Sequence, residues 1–142
     1  MTIGRLIQGR EAAVMTCTTQ TRVADAAAIL ATRRIGALPV MDGTTIAGMF
    51  SERDVIYGLQ DKGADVLSLT VGEVMTAPAV TVEPETSILA ALSLMTRRRI
   101  RHLPVVRDGA MVGFVSIGDL VKNRIDQMAS ETEALRTYIQ TA

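Results

Sequence analysis

The sequence predicts an α+β fold in which one unit of strand, helix, strand, strand and helix occurs twice. The clearest sign is an internal repeat, because residues 33 to 40 match residues 98 to 105 at all but two of eight positions. Pro39 thus recurs as Pro104, an offset of 65 residues. The same offset relates three later pairs: Gly48 and Gly113, Ser51 and Ser116, and Asp54 and Asp119. An internal repeat of this kind predicts two similar structural units.

Composition limits the class of protein. The chain has 142 residues, 48% hydrophobic and 21% charged, which is enough for a globular fold with a substantial core. No apolar run approaches the roughly 20 residues that cross a membrane, and the N-terminal residues lack the apolar core of a secretion signal. A net charge of zero and 3% aromatic residues argue against nucleic-acid binding. Because Cys17 is the single cysteine, which fits a reducing compartment, we expect a cytoplasmic protein that does not enter a membrane.

Each unit opens with a short segment, an apolar strand and a helix. The openers TIGRLI (2 to 7) and TVGEVM (70 to 75) correspond, and we expect the first strands over residues 12 to 17 and 79 to 82. The helices that follow have apolar residues near helical spacing: Val23, Ala26, Ala27 and Leu30 in the first unit, and Ile88, Ala91, Leu92 and Met95 in the second. Glu83-Pro84 marks the turn before the second of these helices.

A strand pair and a second helix complete each unit. The strands that begin with Leu-Pro-Val lead to Asp42-Gly43 and Asp108-Gly109, and an Asp-Gly pair between apolar runs is a strong hairpin signal. The returning strands end at Ser51 and Ser116, where we expect the second helices to begin. Residues 60 to 69 form the predicted polar connector. Since neither unit has a comfortable core by itself, we expect the two to fold against each other.

The final helix is longer than its counterpart in the first unit. The predicted boundaries are 1–60 for the first repeat, 70–125 for the second and 126–142 for a helical extension. Apolar residues recur along this helix at steps of four and three, interrupted at Thr132: Val121, Ile125, Met128, Leu135 and Ile139. Such a narrow apolar stripe is typical of a helix with a partner surface. We expect a homodimer that uses the stripe; the alternative is that the helix folds back onto its own two repeats.

The motif Gly-x-x-Ser-x-x-Asp occurs as GMFSERD (48 to 54) and GFVSIGD (113 to 119). One interpretation is structural, because Ser with an acidic residue three positions later caps the start of a helix. The other is a ligand site, in which Gly allows close approach and the Asp carboxylate accepts the two hydroxyls of a ribose. The repeat alone does not separate the two interpretations, because duplication copies a cap as faithfully as a site.

A cluster of positive charge precedes the second Leu-Pro-Val strand. Arg97, Arg98 and Arg99 lie at the predicted end of a helix, where cations complement the helix macrodipole. Arg101 and His102 lie beyond that helix, so the dipole does not account for them.

Taken together, these motifs resemble a tandem CBS-domain pair of the free-standing bacterial type. The resemblance rests on the two Leu-Pro-Val strands, each followed by Asp-Gly, an apolar strand and Gly-x-x-Ser-x-x-Asp, and on the two openers. It implies two β-α-β-β-α repeats packed about a pseudo-twofold axis. It also implies a regulatory module with two clefts for adenosine-containing ligands, with AMP expected first, then ATP, ADP or NAD; S-adenosylmethionine is a further ligand of the family.

The resemblance also implies binding residues. The family's motif Asp holds the ribose, its motif Ser lies near ribose or phosphate, and the residues around Leu-Pro and on the opening strand line the cleft. Carried onto this chain, the candidates are Met15, Gly36, Ala37, Leu38, Pro39, Ser51, Asp54, Thr76, Val80, Arg101, His102, Leu103, Pro104, Ser116 and Asp119. Because Arg101 and His102 match phosphate-contacting positions whereas Gly36 and Ala37 carry no charge, we expect two unequal clefts, with no phosphate ligand in the first.

Two other function classes, an enzyme and a structural interaction module, are alternatives to a ligand-binding module. An enzyme needs a nucleophile and a base, and neither serine forms a recognised signature with His102. One histidine and one cysteine also leave little for a metal site, so we expect neither catalysis nor a catalytic cofactor. The second class is a structural dimerisation or protein-interaction module whose clefts are vestigial. In either non-catalytic case, a regulated protein of unknown identity is an expected partner.

Overall fold

The computed structural model describes residues 1–9 and 14–141 and has the predicted α+β fold of two repeats and a long terminal helix. The helices are α1 (Ile3–Ile7), α2 (Val23–Arg33), α3 (Glu52–Lys62), α4 (Val71–Val74), α5 (Ile88–Arg98) and α6 (Ile117–Thr141), with a 3₁₀ helix at Gly63–Ser68. The strands are β1 (Cys17–Thr18), β2 (Ala37–Asp42), β3 (Thr45–Ser51), β4 (His102–Arg107) and β5 (Ala110–Ser116).

The strands form one small sheet in each repeat. In the first, β1 runs parallel to β2, which pairs antiparallel with β3; in the second, β4 pairs antiparallel with β5. The predicted opening strands are shorter than expected. Residues 12 and 13 lie outside the described residues, 14 to 16 are not in a strand, and over 79 to 82 only Val82 forms a bridge, to Val105. Prolines at 78 and 84 lack the N–H that a longer ladder needs.

Both predicted hairpins form, with different turn residues. In the second repeat Asp108 and Gly109 both have positive φ, 51° and 79°, as a type I′ turn requires. In the first repeat Asp42 is still in β2 and pairs with Thr45, so the turn lies one residue later than predicted. Gly43, with φ 66°, is the first central residue, the place where a type II′ turn needs glycine.

The two repeats exchange their openers. Ile3 of α1 is buried with Leu103 in the core of the second repeat, and its N–H donates to the Thr86 carbonyl at 2.8 Å. Val71 of α4 is buried in the core of the first repeat, and its N–H donates to the Thr21 carbonyl at 2.7 Å. Each core is therefore completed by the other repeat, which is the reciprocal packing of a pseudo-twofold pair.

The predicted polar connector over residues 60 to 69 is helical. Helix α3 continues to Lys62, and the 3₁₀ helix that follows buries Val66 completely in the first core. Gly58 makes room for it, since a Cβ at that position would lie 2.5 Å from Val66 Cγ2. Leu69 also packs against this core, and its carbonyl accepts from Val23 N–H at 2.9 Å, so the segment is attached to the first repeat at more than one point.

Helix α6 continues without a break from the second repeat into the extension. Leu120 is buried, whereas every residue from 125 to 141 is exposed in the single chain, so the helix does not fold back onto its own repeats. Within residues 1–9 and 14–141, no helix combines the length and the apolar character needed to span a membrane.

Candidate functional site

The chain enters β2 and β4 through the same helix ending. Arg34 and Arg99 follow α2 and α5 in the left-handed conformation, with φ of 52° and 55°. The next residue in each repeat closes the turn, because Ile35 N–H donates to the Leu30 carbonyl at 3.1 Å and Ile100 N–H donates to the Met95 carbonyl at 3.0 Å. These bonds satisfy carbonyls left free at a helix end. After each turn the chain continues directly into a strand, β2 in the first repeat and β4 in the second.

The starts of β2 and β4 lie close together, with Gly36 beside His102. A Cβ added to Gly36 would lie 3.4 Å from Cε1 of His102 and 3.1 Å from Oε1 of Glu52, so only a small residue fits at this position without displacing a neighbour. Ala37 and His102 each line two clefts, one on either side of this meeting point. The residue directly before Leu-Pro in each repeat therefore also lines the cleft that contains the other repeat's motif aspartate.

The motif serines and aspartates form helix caps. Ser51 N–H donates to Oδ2 of Asp54 at 2.8 Å, and the Ser51 hydroxyl donates to the same oxygen at 3.2 Å. In the second repeat Ser116 N–H donates to Oδ2 of Asp119 at 2.9 Å, and Asp119 N–H donates to Ser116 Oγ at 3.2 Å. The capping interpretation is thus correct. It leaves the ligand interpretation open, because an ionised carboxylate has about four acceptor positions.

The Asp54 cleft is a space of about 370 Å³ between the two repeats. It contains eight of the predicted residues: Gly36, Ala37, Ser51, Asp54, Thr76, Val80, Arg101 and His102. The hydroxyl of Thr76 donates to Oδ1 of Asp54 at 3.0 Å, which links the segment after α4 to the motif. Eight further lining residues were not predicted: Met49, Glu52, Arg53, Tyr57, Pro78, Ala79, Arg99 and Ile100.

The expectation of a first cleft without charge rested on Gly36 and Ala37 alone, and the cleft that contains Asp54 has basic residues from elsewhere in the chain. Arg101 lines the Asp54 cleft, together with Arg53 and Arg99. The prediction treated each repeat by itself, whereas the meeting of β2 and β4 brings the basic segment of the second repeat to the aspartate of the first. Arg53 was visible in the sequence, since it directly precedes Asp54 in the motif.

The Asp119 cleft is larger, about 630 Å³. Five predicted residues line it: Met15, Ala37, His102, Ser116 and Asp119. The others were not predicted and are apolar or glycine: Ile7, Gly9, Val14, Ile35, Met111, Val112, Gly113 and Phe114. Met15 comes from the first repeat, as Val80 in the other cleft comes from the second, so the contributions are crossed in both clefts.

His102 stands between the two clefts. It lies opposite Ser116 in the β4–β5 pair, and its ring stacks on Phe114 with centroids 5.6 Å apart and planes 9° from parallel. Burial lowers the pKa of His102, and the charge of Arg101 lowers it further, against the opposing effect of Asp119 and Glu52. At neutral pH we therefore expect an uncharged imidazole between the clefts.

Four predicted residues do not belong to either cleft. Leu38 and Leu103 are fully buried in the two cores, and Pro39 and Pro104 are buried beside them. Their side chains hold β2 and β4 in place. The Leu-Pro motif therefore positions the site and does not line it.

The motif glycines make room for protein. A Cβ at Gly48 would lie 2.7 Å from the Thr76 carbonyl oxygen, and one at Gly113 would lie 2.7 Å from Cδ1 of Ile7. The Gly48 contact brings Thr76 beside Asp54, since Met49 and Thr76 exchange backbone hydrogen bonds of 2.9 and 2.8 Å. Close approach by other parts of this chain explains both glycines, whereas the sequence-based interpretation had assigned that approach to a ligand.

Comparison with known proteins agrees with this architecture. A family model described as the CBS domain matches residues 11–61 and 71–126. The CBS domain-containing protein CBSX3, mitochondrial, of Arabidopsis thaliana is 40% identical over 129 residues, which are 87% of this chain and 63% of that protein. This chain therefore spans less than two thirds of the length of that relative.

Solved structures share the fold over most of the chain. A CBS-domain containing protein from Agrobacterium tumefaciens is 31% identical, with a TM-score of 0.81 over 87% of this chain and 99% of the other. The structure of CBSX2 in complex with AMP is 26% identical, with a TM-score of 0.76 over 89% of this chain and 98% of the other. The resemblance thus extends to chains consisting almost entirely of the CBS pair.

Proposed function

The chain belongs to the CBS-domain family, and from that premise we propose that it is a regulatory module that binds adenosine-containing nucleotides and catalyses no reaction. AMP is the ligand we propose first, ahead of ATP, ADP and NAD, because the similar structure of CBSX2 is a complex with AMP. The proposed sites are the Asp54 cleft and the Asp119 cleft.

The observation that carries this proposal is the composition of the Asp54 cleft. One acidic residue of the motif, Asp54, and three arginines, Arg53, Arg99 and Arg101, are among the residues that line one space. A carboxylate accepts hydrogen bonds from a ribose diol, and guanidinium groups bind phosphate in a fixed planar geometry. A nucleotide carries both groups a few ångströms apart, so the cleft is complementary to each end of it.

The serines of the motif support a non-catalytic role. Ser51 and Ser116 both make hydrogen bonds with the aspartate of their own helix cap. A nucleophilic serine instead needs a base that accepts its proton. The hydroxyl of Ser51 donates to Asp54, whose carboxylate is also held by the Thr76 hydroxyl, so we assign these groups to structure and binding.

The test is calorimetric titration with AMP of the protein and its Asp54→Ala variant. A hydrogen bond to a charged group contributes about 1.5 to 3 kcal/mol, so its loss weakens the site by roughly tenfold to a hundredfold. Because Asp54 also caps α3, the variant loses stability as well, by about 1 kcal/mol. A control must therefore remove an equivalent cap away from the clefts.

Glu73 is that control. Thr70 N–H and the Thr70 hydroxyl donate to Oε2 of Glu73 at 2.8 and 3.2 Å, the same geometry as at Ser51 and Asp54. Glu73 lines neither cleft. We expect Glu73→Ala to lose the cap and keep AMP binding. Equal AMP affinity in Asp54→Ala, Asp119→Ala and Glu73→Ala would leave the aspartates as caps only, and absence of AMP, ATP, ADP and NAD binding to the unaltered protein would refute the proposed function.

We also propose a homodimer, because the apolar stripe of α6 is uncovered in the single chain. Its residues are exposed by 41% to 65%: Val121, Ile125, Met128, Leu135 and Ile139. Burying one Leu or Ile side chain is worth about 1.5 to 3 kcal/mol, and twofold association is the usual way in which a chain covers such a surface. The other function class, a structural interaction module, rests on this same stripe.

Truncation after Asn123 and light scattering test the dimer. We expect the full chain to have twice the mass of one protomer and the truncated chain to be a monomer. A truncated protein that remains a dimer would show that the helix is dispensable for assembly. A full-length monomer at micromolar concentration would rule out the dimer.

A cytoplasmic location and a regulated protein partner are further proposals. The single buried Cys17 fits a reducing compartment, whereas the name of the relative CBSX3 describes that protein as mitochondrial. Fractionation of the source cells tests the location. Recovery of the chain outside the cytoplasmic fraction would contradict it.

A further inference from the structure

Most of helix α6 extends beyond the two packed repeats. Every residue from 125 to 141 is exposed, although the helix is regular as far as Thr141. An isolated helix of about 15 residues is only marginally stable in water, because most helical stability in proteins comes from packing of an amphipathic face. The apolar stripe of this segment therefore needs a surface to pack against.

The stripe has the spacing of a two-stranded coiled coil. Its residues alternate between two rows of a heptad, called a and d: Ile125, Thr132 and Ile139 at a, and Val121, Met128 and Leu135 at d. In parallel coiled coils, β-branched residues at a combined with Leu at d favour two strands. All three a residues are β-branched, whereas two of the three d residues, Met128 and Leu135, are not. The stripe thus favours one partner helix in the parallel direction.

Thr132 is the polar residue of the stripe. Its hydroxyl donates to the Met128 carbonyl at 3.0 Å, so the hydrogen bond is made within the helix and the methyl group is left for packing. A polar residue at a single a position specifies the register of a coiled coil. A parallel, in-register pair places Thr132 of both copies in one layer, whereas an antiparallel pair over the same stripe places each Thr132 against Met128 of the other copy.

The charges beside the stripe are complementary in the parallel arrangement. Glu131 directly precedes Thr132, at position g, and Arg136 directly follows Leu135, at position e. Interhelical ion pairs between g and e residues set the partner and the orientation of a coiled coil. In a parallel, in-register pair each Glu131 lies beside Arg136 of the other copy. Both side chains are exposed, and within the described residues neither has an ion-pair partner in its own chain.

The antiparallel arrangement brings like charges together. When two antiparallel helices overlap along the whole stripe, residue 121 of one copy lies beside residue 139 of the other. Lys122 then lies near Arg136 of the other copy, and the two Glu131 side chains lie near each other at the centre. Like charges at these positions are unfavourable, so the flanking residues disfavour this orientation.

We infer that the stripe binds a second copy of this chain as a parallel, in-register coiled coil whose orientation is determined by Glu131 and Arg136. This inference rests on the proposed homodimer and adds its orientation and register. It favours self-association over an unlike protein partner, because this helix supplies both charges of each ion pair. Since Asp119 lies in the first turn of α6, the Asp119 clefts of both copies lie at the same end of the coiled coil.

Cysteine cross-linking of the full chain tests the orientation. We expect Leu135→Cys to form a covalent dimer on mild oxidation, because d residues face each other in a parallel, in-register pair. In the antiparallel pair the two copies of residue 135 are about 15 Å apart along the helix, and a disulfide needs Cα atoms within about 7 Å of each other. Ile139→Cys repeats the test if Leu135→Cys does not dimerise. Ala134→Cys, on the opposite side of the helix, is the control and should remain uncross-linked.

Arg136→Glu has opposite effects on the two orientations. In the parallel pair it places an acidic side chain beside each Glu131, and we expect dimerisation to weaken by about threefold to thirtyfold at low salt. In the antiparallel pair it places that acid beside Lys122 and strengthens dimerisation. Adding Glu131→Arg to Arg136→Glu restores both ion pairs with their signs exchanged and should recover the dimer. Sedimentation equilibrium measures the dissociation constant of each variant.

The outcomes are distinguishable. A full-length protein that sediments as a monomer refutes the proposed homodimer and this inference with it. A dimer that neither Leu135→Cys nor Ile139→Cys cross-links, or that Arg136→Glu strengthens, overturns the parallel arrangement and leaves the homodimer intact.

Discussion

Substitution of Arg34 and Arg99 by glycine tests whether the two helix ends that precede β2 and β4 hold conformational strain. Arg34 and Arg99 both adopt the left-handed conformation, at φ and ψ of 52° and 47° and of 55° and 44°. That conformation costs an L-residue about 1 to 2 kcal/mol, and glycine avoids this cost while losing about 0.5 to 1 kcal/mol of chain entropy on folding. We expect Arg34→Gly and Arg99→Gly each to stabilise the fold by about 1 kcal/mol.

The two positions differ in what else they contact. Arg99 lines the Asp54 cleft, whereas Arg34 lies on a groove between α2 and α3. Arg99→Gly should therefore gain stability and lose about tenfold in AMP affinity, the effect of one charged hydrogen bond. Arg34→Gly should gain the same stability and bind AMP unchanged.

Thermal unfolding and calorimetric titration of the same protein samples measure both effects. For a chain of this length, 1 kcal/mol corresponds to about 3 °C in Tm. Arg33→Gly is the control for glycine itself, because it lies in the last turn of α2 and should lower stability by about 1 kcal/mol. If Arg34→Gly is no more stable than the unaltered protein, the strain argument fails; if it weakens AMP binding as much as Arg99→Gly, the assignment of Arg99 to the cleft fails.

Three further predictions concern single residues. Burial raises the pKa of Cys17 to about 11, so at pH 8 roughly one thiol in a thousand is ionised. A thiol reagent should therefore react with Cys17 at a measurable rate only after the protein unfolds. Fast reaction of the folded protein would contradict this prediction. Because burial and Arg101 lower the pKa of His102, the unfolded chain takes up a proton before the folded one. Stability in urea should fall as pH decreases below about 6.5, and His102→Gln should reduce that fall. Gly48→Ala should lower the free energy of unfolding by about 1 to 3 kcal/mol, because the added methyl group overpacks against Thr76. Gly118→Ala is the control, since a Cβ there would have its nearest contact, Ser116 Oγ, at 3.6 Å, and it should be neutral or stabilising. Denaturant unfolding measures both variants.

Predictions about local structure were mostly correct where a few neighbouring residues decide the outcome. The turn at Asp108 and Gly109 and the caps at Ser51 and Ser116 depend on side chains and backbone groups within three residues of one another. The first hairpin shows the limit, since Gly43 and Asp42 allow two turn registers and strand pairing selects one.

Residues that contact across the pseudo-twofold axis were predicted less well. The family resemblance placed Leu38 and Leu103 in the clefts together with Ala37 and His102, whereas their side chains are fully buried in the cores. Val66 was assigned to a polar connector, and its burial depends on a gap left by Gly58 in another helix. Neighbours in sequence thus have different neighbours in space.

The sequence by itself determined the duplication, the order of helices and strands, the capped motifs and the residue types available for binding. These follow from periodicity and from hydrogen bonds between residues close in the chain, which a linear pattern records. Only the tertiary structure decided that Arg101 lines the same cleft as Asp54 and that His102 borders both clefts. Those contacts form because β2 and β4 meet at the centre of the molecule, with Gly36 small enough to allow it, and such long-range packing depends on both repeats at once.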